Sequence, residues 1–315
     1  MIGGQSDSAA SPVMVGREAE TERIDRALSA LADGAAPLIV ISGEAGIGKT
    51  RLIDTSLTRV EDDVRVLRTE CLALGSRIPY LPFAELLRSL VQQVGTHKLS
   101  SIIGSARDDL VRLLPELETA VGDHGSDGAA PRGSGGDELD RLRLYESFLQ
   151  AAERIAGDQP TVFVVEDVQW IDRASLELLA FLAHGLRPHS RSTLIVSVRP
   201  EQVEDKDEVL QLLADLGRIG TCERIELRPL DPEATRQLVV AVVGGGAPAD
   251  LARRIHDLSD GNPMFAEELL ASFRQGADGT ALPPKLRDLL GARLAALPAD
   301  VLEVLRIAAA AGRTI

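Results

Sequence analysis

The chain has 315 residues, of which 44% are hydrophobic but only 3% aromatic, and its formal net charge is -14. This length allows one large domain or two to three smaller ones, and an aliphatic core suits a parallel sheet covered by helices. The acidic balance argues against a broad nucleic-acid-binding face, because such faces neutralise phosphates with Lys and Arg. Two isolated cysteines, Cys71 and Cys222, exclude a disulfide framework and fit a reduced, cytoplasmic compartment.

Residues 1–13 are small and polar, and we expect them to form a disordered arm rather than a signal peptide. No apolar run in the sequence reaches the length needed to cross a bilayer. The folded region is therefore expected to begin near residue 14.

Residues 14–230 alternate between strand-like and helix-like patterns. Short apolar runs bounded by turn residues predict five strands, at 37–43, 64–71, 161–167, 192–199 and 223–227. Apolar residues at helical spacing predict helices between them, at about 18–31, 49–57, 82–94, 105–114, 138–156, 174–186 and 208–216. This alternation indicates an α/β fold in which helices cover both faces of a parallel five-stranded sheet.

Two regions depart from this alternation. Residues 122–136 hold six glycines and one proline but no large apolar residue, so we expect a mobile loop there. After Pro229 the strands stop, and Asp231 is suited to cap the first of five helices, at 232–243, 248–258, 263–274, 284–296 and 299–310. We therefore predict a helical domain over 231–283 and a further, truncated domain over 284–315.

The residues that join the first predicted strand to its helix match the pattern G-x-x-x-x-G-K-[ST] in full. They are Gly43, Glu44, Ala45, Gly46, Ile47, Gly48, Lys49 and Thr50. Such a loop turns its backbone N–H groups toward phosphate oxygens, and the helix that follows favours the same anion. We expect Lys49 to reach the β- and γ-phosphates of ATP or ADP and Thr50 to bind Mg²⁺, with Arg51 also among the nucleotide-binding residues.

Two acids, Glu166 and Asp167, follow the third predicted strand, at the edge where ligands bind in open α/β sheets. Both are candidate Mg²⁺ ligands. We assign Glu166 mainly to the metal and Asp167 to orienting or activating the attacking water, with exchanged roles as the alternative. Arg199 ends the fourth strand and could approach the γ-phosphate or form a surface salt bridge instead. Trp170 is expected to pack at the strand–helix corner, and Asp172 to cap the next helix.

Four motifs occur in order along the chain: VGRE at 15–18, EDVQWID at 166–172, VRPE at 198–201 and GNPMF at 261–265. Together with the loop at 43–50, they resemble the ATPase module of the large ATP-binding LuxR-type (LAL) transcriptional regulators. These regulators belong to the STAND branch of the AAA-related P-loop NTPases. Similar modules accompany some bacterial adenylate cyclases and kinases.

This resemblance implies several further properties. The sheet should have the strand order 5-1-4-3-2, with Val15, Gly16 and Arg17 lining the adenine pocket and Pro263 contacting the nucleotide. A plain turn at Gly16 or before Pro263 is the alternative. Residues 284–315 should begin a winged-helix domain, and longer relatives continue into a sensor and a DNA-binding domain. We therefore expect no direct nucleic-acid binding by this chain, and no membrane association.

We interpret the sequence as an ATP- and Mg²⁺-binding switch module, slowly hydrolysing, of a LuxR-family transcriptional regulator. The alternatives are the ATPase module of an adenylate cyclase or kinase, and a nucleotide-binding scaffold that does not hydrolyse. A P-loop kinase or a ring-forming loader is disfavoured, because residues 122–136 hold one arginine, Arg132, and no lysine, and because the chain is acidic. Self-association remains open at this stage.

Overall fold

The computed structural model of the chain describes residues 14–31, 38–60, 63–73, 78–111, 113, 137–186, 191–203, 207–220, 222–244, 247–248, 250–274, 287, 291, 294 and 299–311. The predicted arm at 1–13 and the glycine-rich segment at 122–136 lie outside these residues. So does most of the predicted helix at 284–296.

A five-stranded parallel sheet lies at the centre of residues 17–228. Its strands are β1 (Leu38–Ser42), β2 (Arg65–Glu70), β3 (Thr161–Glu166), β4 (Ser192–Val198) and β5 (Cys222–Glu226). They lie in the order β2-β3-β4-β1-β5, and each neighbouring pair runs parallel. This order confirms the 5-1-4-3-2 arrangement that the family resemblance implied.

The two strands β3 and β4 are buried along their whole length. Continuous aliphatic runs are what a parallel strand needs when both faces of the sheet are covered. Strand register brings Ser42, the last residue of β1, beside Val198, the last residue of β4. The segments that follow β1, β3 and β4 therefore emerge at one edge of the sheet, where the carboxyl ends of the strands meet.

Eight helices occur among the described residues of this region. They are α1 (Glu18–Ser29), α2 (Lys49–Leu57), α3 (Leu81–Val94), α4 (Thr96–Ile103), α5 (Arg107–Leu110), α6 (Asp137–Asp158), α7 (Arg173–Gly185) and α8 (Asp207–Leu216). The side chains of α3 to α8 form one large apolar cluster with the sheet. Within it, the rings of Phe83 and Phe148 pack edge to face with centroids 5.0 Å apart.

The structure differs from the sequence prediction between α3 and α6. A helix over 105–114 was expected, whereas the helix found there, α5, covers only Arg107–Leu110 and follows a 3-10 turn at Gly104–Ala106. The sequence prediction also missed α4. The guanidinium of Arg154, on α6, donates to the carbonyl oxygen of Ile103 at the end of α4. A side chain thus takes a carbonyl that a continuing helix would have used, and this tertiary contact is not visible in local sequence.

The chain divides into two compact units, residues 17–228 and residues 1–16 with 229–315. In the second unit the described helices are α9 (Pro232–Val243), α10 (Leu251–Ser259), α11 (Pro263–Arg274) and α12 (Ala299–Ala311). Leu230, Leu238 and Leu270 belong to its small apolar core. Asp231 accepts a hydrogen bond from the backbone N–H of Ala234 at 2.7 Å, which confirms it as the cap of α9.

Candidate functional site

The loop between β1 and α2 has the backbone shape of an anion-binding turn. Gly46 and Gly48 have φ of 79° and 102°, which side-chain-bearing residues rarely adopt. Gly48 immediately precedes α2, so the loop delivers the chain directly into the first turn of the helix. The positive end of the α2 dipole and the loop N–H groups therefore favour a bound anion at the same place.

Lys49, the first residue of α2, is only 6% exposed. Its Nζ donates to the carbonyl oxygens of Gly43 at 2.6 Å and Glu44 at 2.9 Å. Burial, and then the positive charge of Arg199, lower its pKa from 10.5 to about 8. The charges of Asp167, Glu201 and Glu166 act in the opposite direction. The ammonium thus remains largely protonated near neutral pH, in a position where a phosphate would stabilise its charge.

Thr50 and Glu166 connect the start of α2 to the end of β3. The Thr50 hydroxyl donates to Oε2 of Glu166 at 2.7 Å, and Glu166 is 4% exposed. A hydroxyl and a carboxylate at this separation present oxygen ligands of the kind that Mg²⁺ prefers. In P-loop enzymes the loop Ser or Thr and a strand-end acid share the metal site, and this pair matches that donor set.

Arg68, on β2, is a member of the site that sequence reasoning missed. Its Nε donates to Oε1 of Glu166 at 2.6 Å, and its Nη1 donates to Oδ1 of Asp54, on α2, at 2.5 Å. The guanidinium therefore balances the buried charge of Glu166. Its position follows only from the strand order, because β2 and β3 are adjacent in the sheet but far apart in sequence.

Asp167 has partners that differ from those of Glu166. Its two carboxylate oxygens accept a forked pair of hydrogen bonds from Arg199, with Nε–Oδ1 at 3.1 Å and Nη2–Oδ2 at 2.5 Å. Its backbone N–H donates to Oγ of Ser197 on β4. The backbone N–H of Arg199 donates to the side-chain oxygen of buried Gln169 at 3.1 Å. These two hydrogen bonds hold the backbones of Asp167 and Arg199 in place at the ends of β3 and β4.

Glu201 contacts the loop directly. It lies on a 3-10 turn, Pro200–Gln202, that follows β4, and its Oε1 accepts a hydrogen bond from the backbone N–H of Ala45 at 2.9 Å. A carboxylate is thus bound to one of the loop N–H groups. The sequence contained Glu201 in the VRPE motif but offered no indication of this contact.

Arg17 lies behind the loop and is 7% exposed. Its Nη2 donates to the carbonyl oxygen of Arg228 at 2.5 Å and approaches the carbonyl oxygen of Ile47 at 3.5 Å. These contacts tie the loop to the segment after β5. Arg51 lies on α2, directly after Thr50.

Two of the other predicted residues, Val15 and Gly16, belong to the second unit, as does Pro263 at the start of α11. Val15 packs against the apolar core of that unit. A side chain at Gly16 would place its Cβ 2.5 Å from Cβ of Ala234. This close approach gives Gly16 a packing role. The expected contacts of Val15 and Gly16 with adenine, and of Pro263 with the nucleotide, stay predictions.

The residues after Asp167 have the structural roles expected of them. Trp170 is partly buried against the large apolar cluster, and Asp172 caps α7 by accepting from the backbone N–H of Ser175 at 2.9 Å. Within the described part of the chain, no set of three or more His, Cys, Asp or Glu side chains is arranged to hold a metal ion. The oxygen donors at Thr50 and Glu166 fit a Mg²⁺ that takes its remaining ligands from phosphates and water. None of the described helices is both long and apolar enough to span a bilayer.

A strand, a glycine-containing loop and a helix that opens with Lys-Thr define this protein as a P-loop NTPase, with an acidic strand end beside the loop. A family model described as the AAA ATPase domain matches residues 13–196. The chain belongs to this family. Membership supports the binding of an adenine nucleotide and Mg²⁺ in general terms.

Similar proteins were found in sequence and in structure. An uncharacterized protein, R02095, of Rhizobium meliloti (strain 1021) is 26% identical over 275 residues, which cover 84% of this chain and 25% of that protein. The chain therefore spans about a quarter of the curated relative that it matches.

Two solved structures share the fold. The Walker-type ATPase PABY2304 of Pyrococcus abyssi aligns with a TM-score of 0.55 and 15% identity, over 93% of this chain and 75% of that one. A chain of Drosophila ORC bound to DNA aligns with a TM-score of 0.50 and 11% identity, over 90% and 63%. At these identities the likeness concerns the fold alone.

Proposed function

We propose that this chain is the ATP- and Mg²⁺-binding switch module of a larger LuxR-type transcriptional regulator, and that it hydrolyses ATP slowly. The observation that carries the nucleotide-binding part is the hydrogen bond between Thr50 and Glu166 beside the buried ammonium of Lys49. The Lys49 ammonium can bind phosphates, and the oxygens of Thr50 and Glu166 can bind a metal. The three groups lie together where the start of α2 meets the end of β3.

The residues of the site divide the chemistry between them. The loop N–H groups and Lys49 bind and orient the phosphates, and Thr50 with Glu166 holds the metal. A bound Mg²⁺ would supply positive charge to the phosphate oxygens as the terminal bond breaks. Asp167 accepts a proton from the attacking water, and Arg199 holds the Asp167 carboxylate in place. Val15, Gly16, Arg17, Arg51 and Pro263 complete the proposed nucleotide contacts.

The forked ion pair between Arg199 and Asp167 supports slow turnover. Both carboxylate oxygens of Asp167 already accept hydrogen bonds from Arg199, so this ion pair must open before Asp167 can accept a proton from water. A slow enzyme suits a switch, because each nucleotide state must persist long enough to be sensed. The same observation favours a second candidate function, a scaffold that binds ATP without hydrolysing it.

Titration with a fluorescent ATP analogue and a phosphate-release assay test these proposals. Lys49→Ala should weaken nucleotide binding by at least about tenfold, since it removes a charge-assisted contact. Asp167→Asn should retain binding and lose phosphate release. If the wild-type protein binds ATP without releasing phosphate, the scaffold is the better description. If neither binding nor release depends on Lys49, the proposed function is wrong.

The regulatory role rests on the four sequence motifs and needs its own test. The full-length protein that contains this region should select specific fragments from genomic DNA in a nucleotide-dependent manner. Lys49→Ala in that protein should remove the nucleotide dependence. A cyclase or kinase activity that responds to ATP binding at this site would instead support the alternative partner domains.

A further inference from the structure

The carboxylate of Glu201 occupies a position on the loop where a phosphate oxygen of the nucleotide is expected. Oε1 of Glu201 lies 2.9 Å from the backbone nitrogen of Ala45, which donates to it. Ala45 is part of the loop whose N–H groups bind phosphate oxygens in P-loop proteins. A carboxylate and a phosphate oxygen cannot both accept the same N–H without strong mutual repulsion.

The backbone around Glu201 is well anchored, although its side chain is exposed. The 3-10 turn that carries it closes with a hydrogen bond from Val203 N–H to the carbonyl of Pro200 at 3.1 Å. Val203 itself is 1% exposed and belongs to the large apolar cluster. The turn is therefore fixed, while the carboxylate can rotate into solvent when another anion takes the loop N–H.

The position of Glu201 indicates which phosphate it opposes. Glu201 follows Arg199 by two residues, and Arg199 holds Asp167, the residue proposed to activate the attacking water. The negative charge of Glu201 also acts on Lys49, the side chain that reaches the terminal phosphates of a nucleotide. Glu201 therefore lies on the side of the site where the γ-phosphate is attacked.

We propose that Glu201 is a specificity-determining residue that weakens the binding of nucleoside triphosphates relative to diphosphates. This inference rests on the proposed nucleotide-binding function. A triphosphate must displace the carboxylate from the Ala45 N–H and then remain near its charge. A diphosphate has no γ-phosphate, so the Glu201 carboxylate can keep its hydrogen bond with the Ala45 N–H. Most of the repulsion is then avoided.

The consequence is a resting preference for ADP. The site accepts a triphosphate only when its contacts with the loop, Lys49 and the metal outweigh the displacement of Glu201. An acidic side chain two residues beyond the end of β4 thus sets the balance between the two nucleotides. Exchange of ADP for ATP becomes sensitive to anything that holds the Glu201 carboxylate on the Ala45 N–H or draws it away.

Competition binding against a fluorescent ADP analogue, with Mg²⁺ present, tests this inference. The competitors are ADP and a non-hydrolysable ATP analogue. Glu201→Ala removes both charge and acceptor, and should tighten triphosphate binding about tenfold while changing ADP binding less than about twofold. Glu201→Gln keeps an acceptor oxygen but removes the charge, and should shift the ratio in the same direction.

Glu208→Gln is the matched control, because it removes one negative charge from α8, where Glu208 pairs with Arg173 at 3.2 Å. Its triphosphate-to-diphosphate ratio should equal that of the wild type. If both Glu201 variants keep the wild-type ratio, or bind the triphosphate more weakly, the inference is overturned while nucleotide binding stands. If wild type and all variants bind neither nucleotide, the proposed function fails, and this inference fails with it.

Discussion

The hydroxyl of Thr50 donates a hydrogen bond to the carboxylate of Glu166 across 2.7 Å. This contact joins residues 116 positions apart in sequence and ties the phosphate loop to the acidic end of the third strand. Neither residue alone can build a metal site, since Mg²⁺ needs several oxygen ligands in a fixed arrangement. The parallel sheet brings the two together because β3 and β1 end at the same edge.

We predict that Thr50→Val weakens nucleotide binding in the presence of Mg²⁺ by about tenfold or more, because it removes the metal-directed oxygen. Thr50→Ser keeps the hydroxyl and should bind nearly as tightly as the wild type. Fluorescence titration with Mg²⁺ and with EDTA measures both effects. Equal affinities for the Val and Ser variants in Mg²⁺ would contradict a metal role for Thr50.

The lowered pKa of Lys49, about 8, predicts a pH dependence of binding. Phosphate binds the protonated form, which predominates below that pKa, so affinity should be nearly constant between about pH 6.5 and 7.5. Above about pH 8 the ammonium loses its proton, and affinity should fall toward a limit of tenfold per pH unit.

Lys49→Arg provides the control for this profile. Its guanidinium stays charged at every accessible pH, so the variant should show a flat profile even where its absolute affinity is lower. Titrations of both proteins from about pH 6.5 to 9.5 make the comparison. A wild-type profile as flat as that of the Arg variant would show that Lys49 does not bind the phosphates as an ammonium.

The ion pair between Arg68 and Glu166 predicts that the free energy of unfolding depends on metal binding. Arg68→Gln removes the guanidinium that balances buried Glu166, and should lower the free energy of unfolding by roughly 1–3 kcal/mol. Mg²⁺ with nucleotide should restore much of this loss, because it returns positive charge to the carboxylate. Urea denaturation with and without Mg²⁺–ADP provides the measurement.

Asp54→Asn is the comparison variant for Arg68. The Asp54 side chain is 52% exposed, so its ion pair with Arg68 should contribute less than about 1 kcal/mol. Equal losses in the two variants would indicate that Arg68 acts through Asp54 rather than through Glu166.

The buried contacts of Arg17 predict that its substitution mainly lowers the free energy of unfolding. Arg17→Met keeps much of the side-chain volume but leaves the carbonyl oxygen of Arg228 without its guanidinium donor, and should cost about 2 kcal/mol of stability. Arg228→Ala leaves that carbonyl in place and removes a side chain that is 79% exposed, so it should be nearly neutral. Chemical denaturation of the two variants distinguishes this role from a purely nucleotide-binding one.

The sequence was sufficient for features that local residues encode. The loop at 43–50 is contiguous, its glycines and Lys-Thr pair have fixed spacing, and aliphatic runs identify buried strands without reference to partners. The caps at Asp172 and Asp231 were also predictable, because a cap acts on N–H groups a few residues away. The strand order came from the family resemblance rather than from strand patterns.

Contacts between distant segments could not be predicted in the same way. Arg68 reaches Glu166 only because β2 and β3 are neighbours, and Glu201 reaches Ala45 only because β4 and β1 are. A charged residue near a strand end has many allowed partners until the sheet order and register are known. The end of α4 at Ile103 was not predictable for a related reason, since the Arg154 side chain that binds its last carbonyl oxygen lies about fifty residues later.

Asp167 adopts a left-handed backbone conformation, with φ of 56°. Asp and Asn tolerate this conformation better than other side chains, whereas alanine there would add torsional strain to the loss of the carboxylate. An alanine scan at this position would therefore confound two effects and exaggerate the importance of the acid for chemistry. Asparagine, which keeps the shape and the backbone preference, is the substitution that isolates the charge.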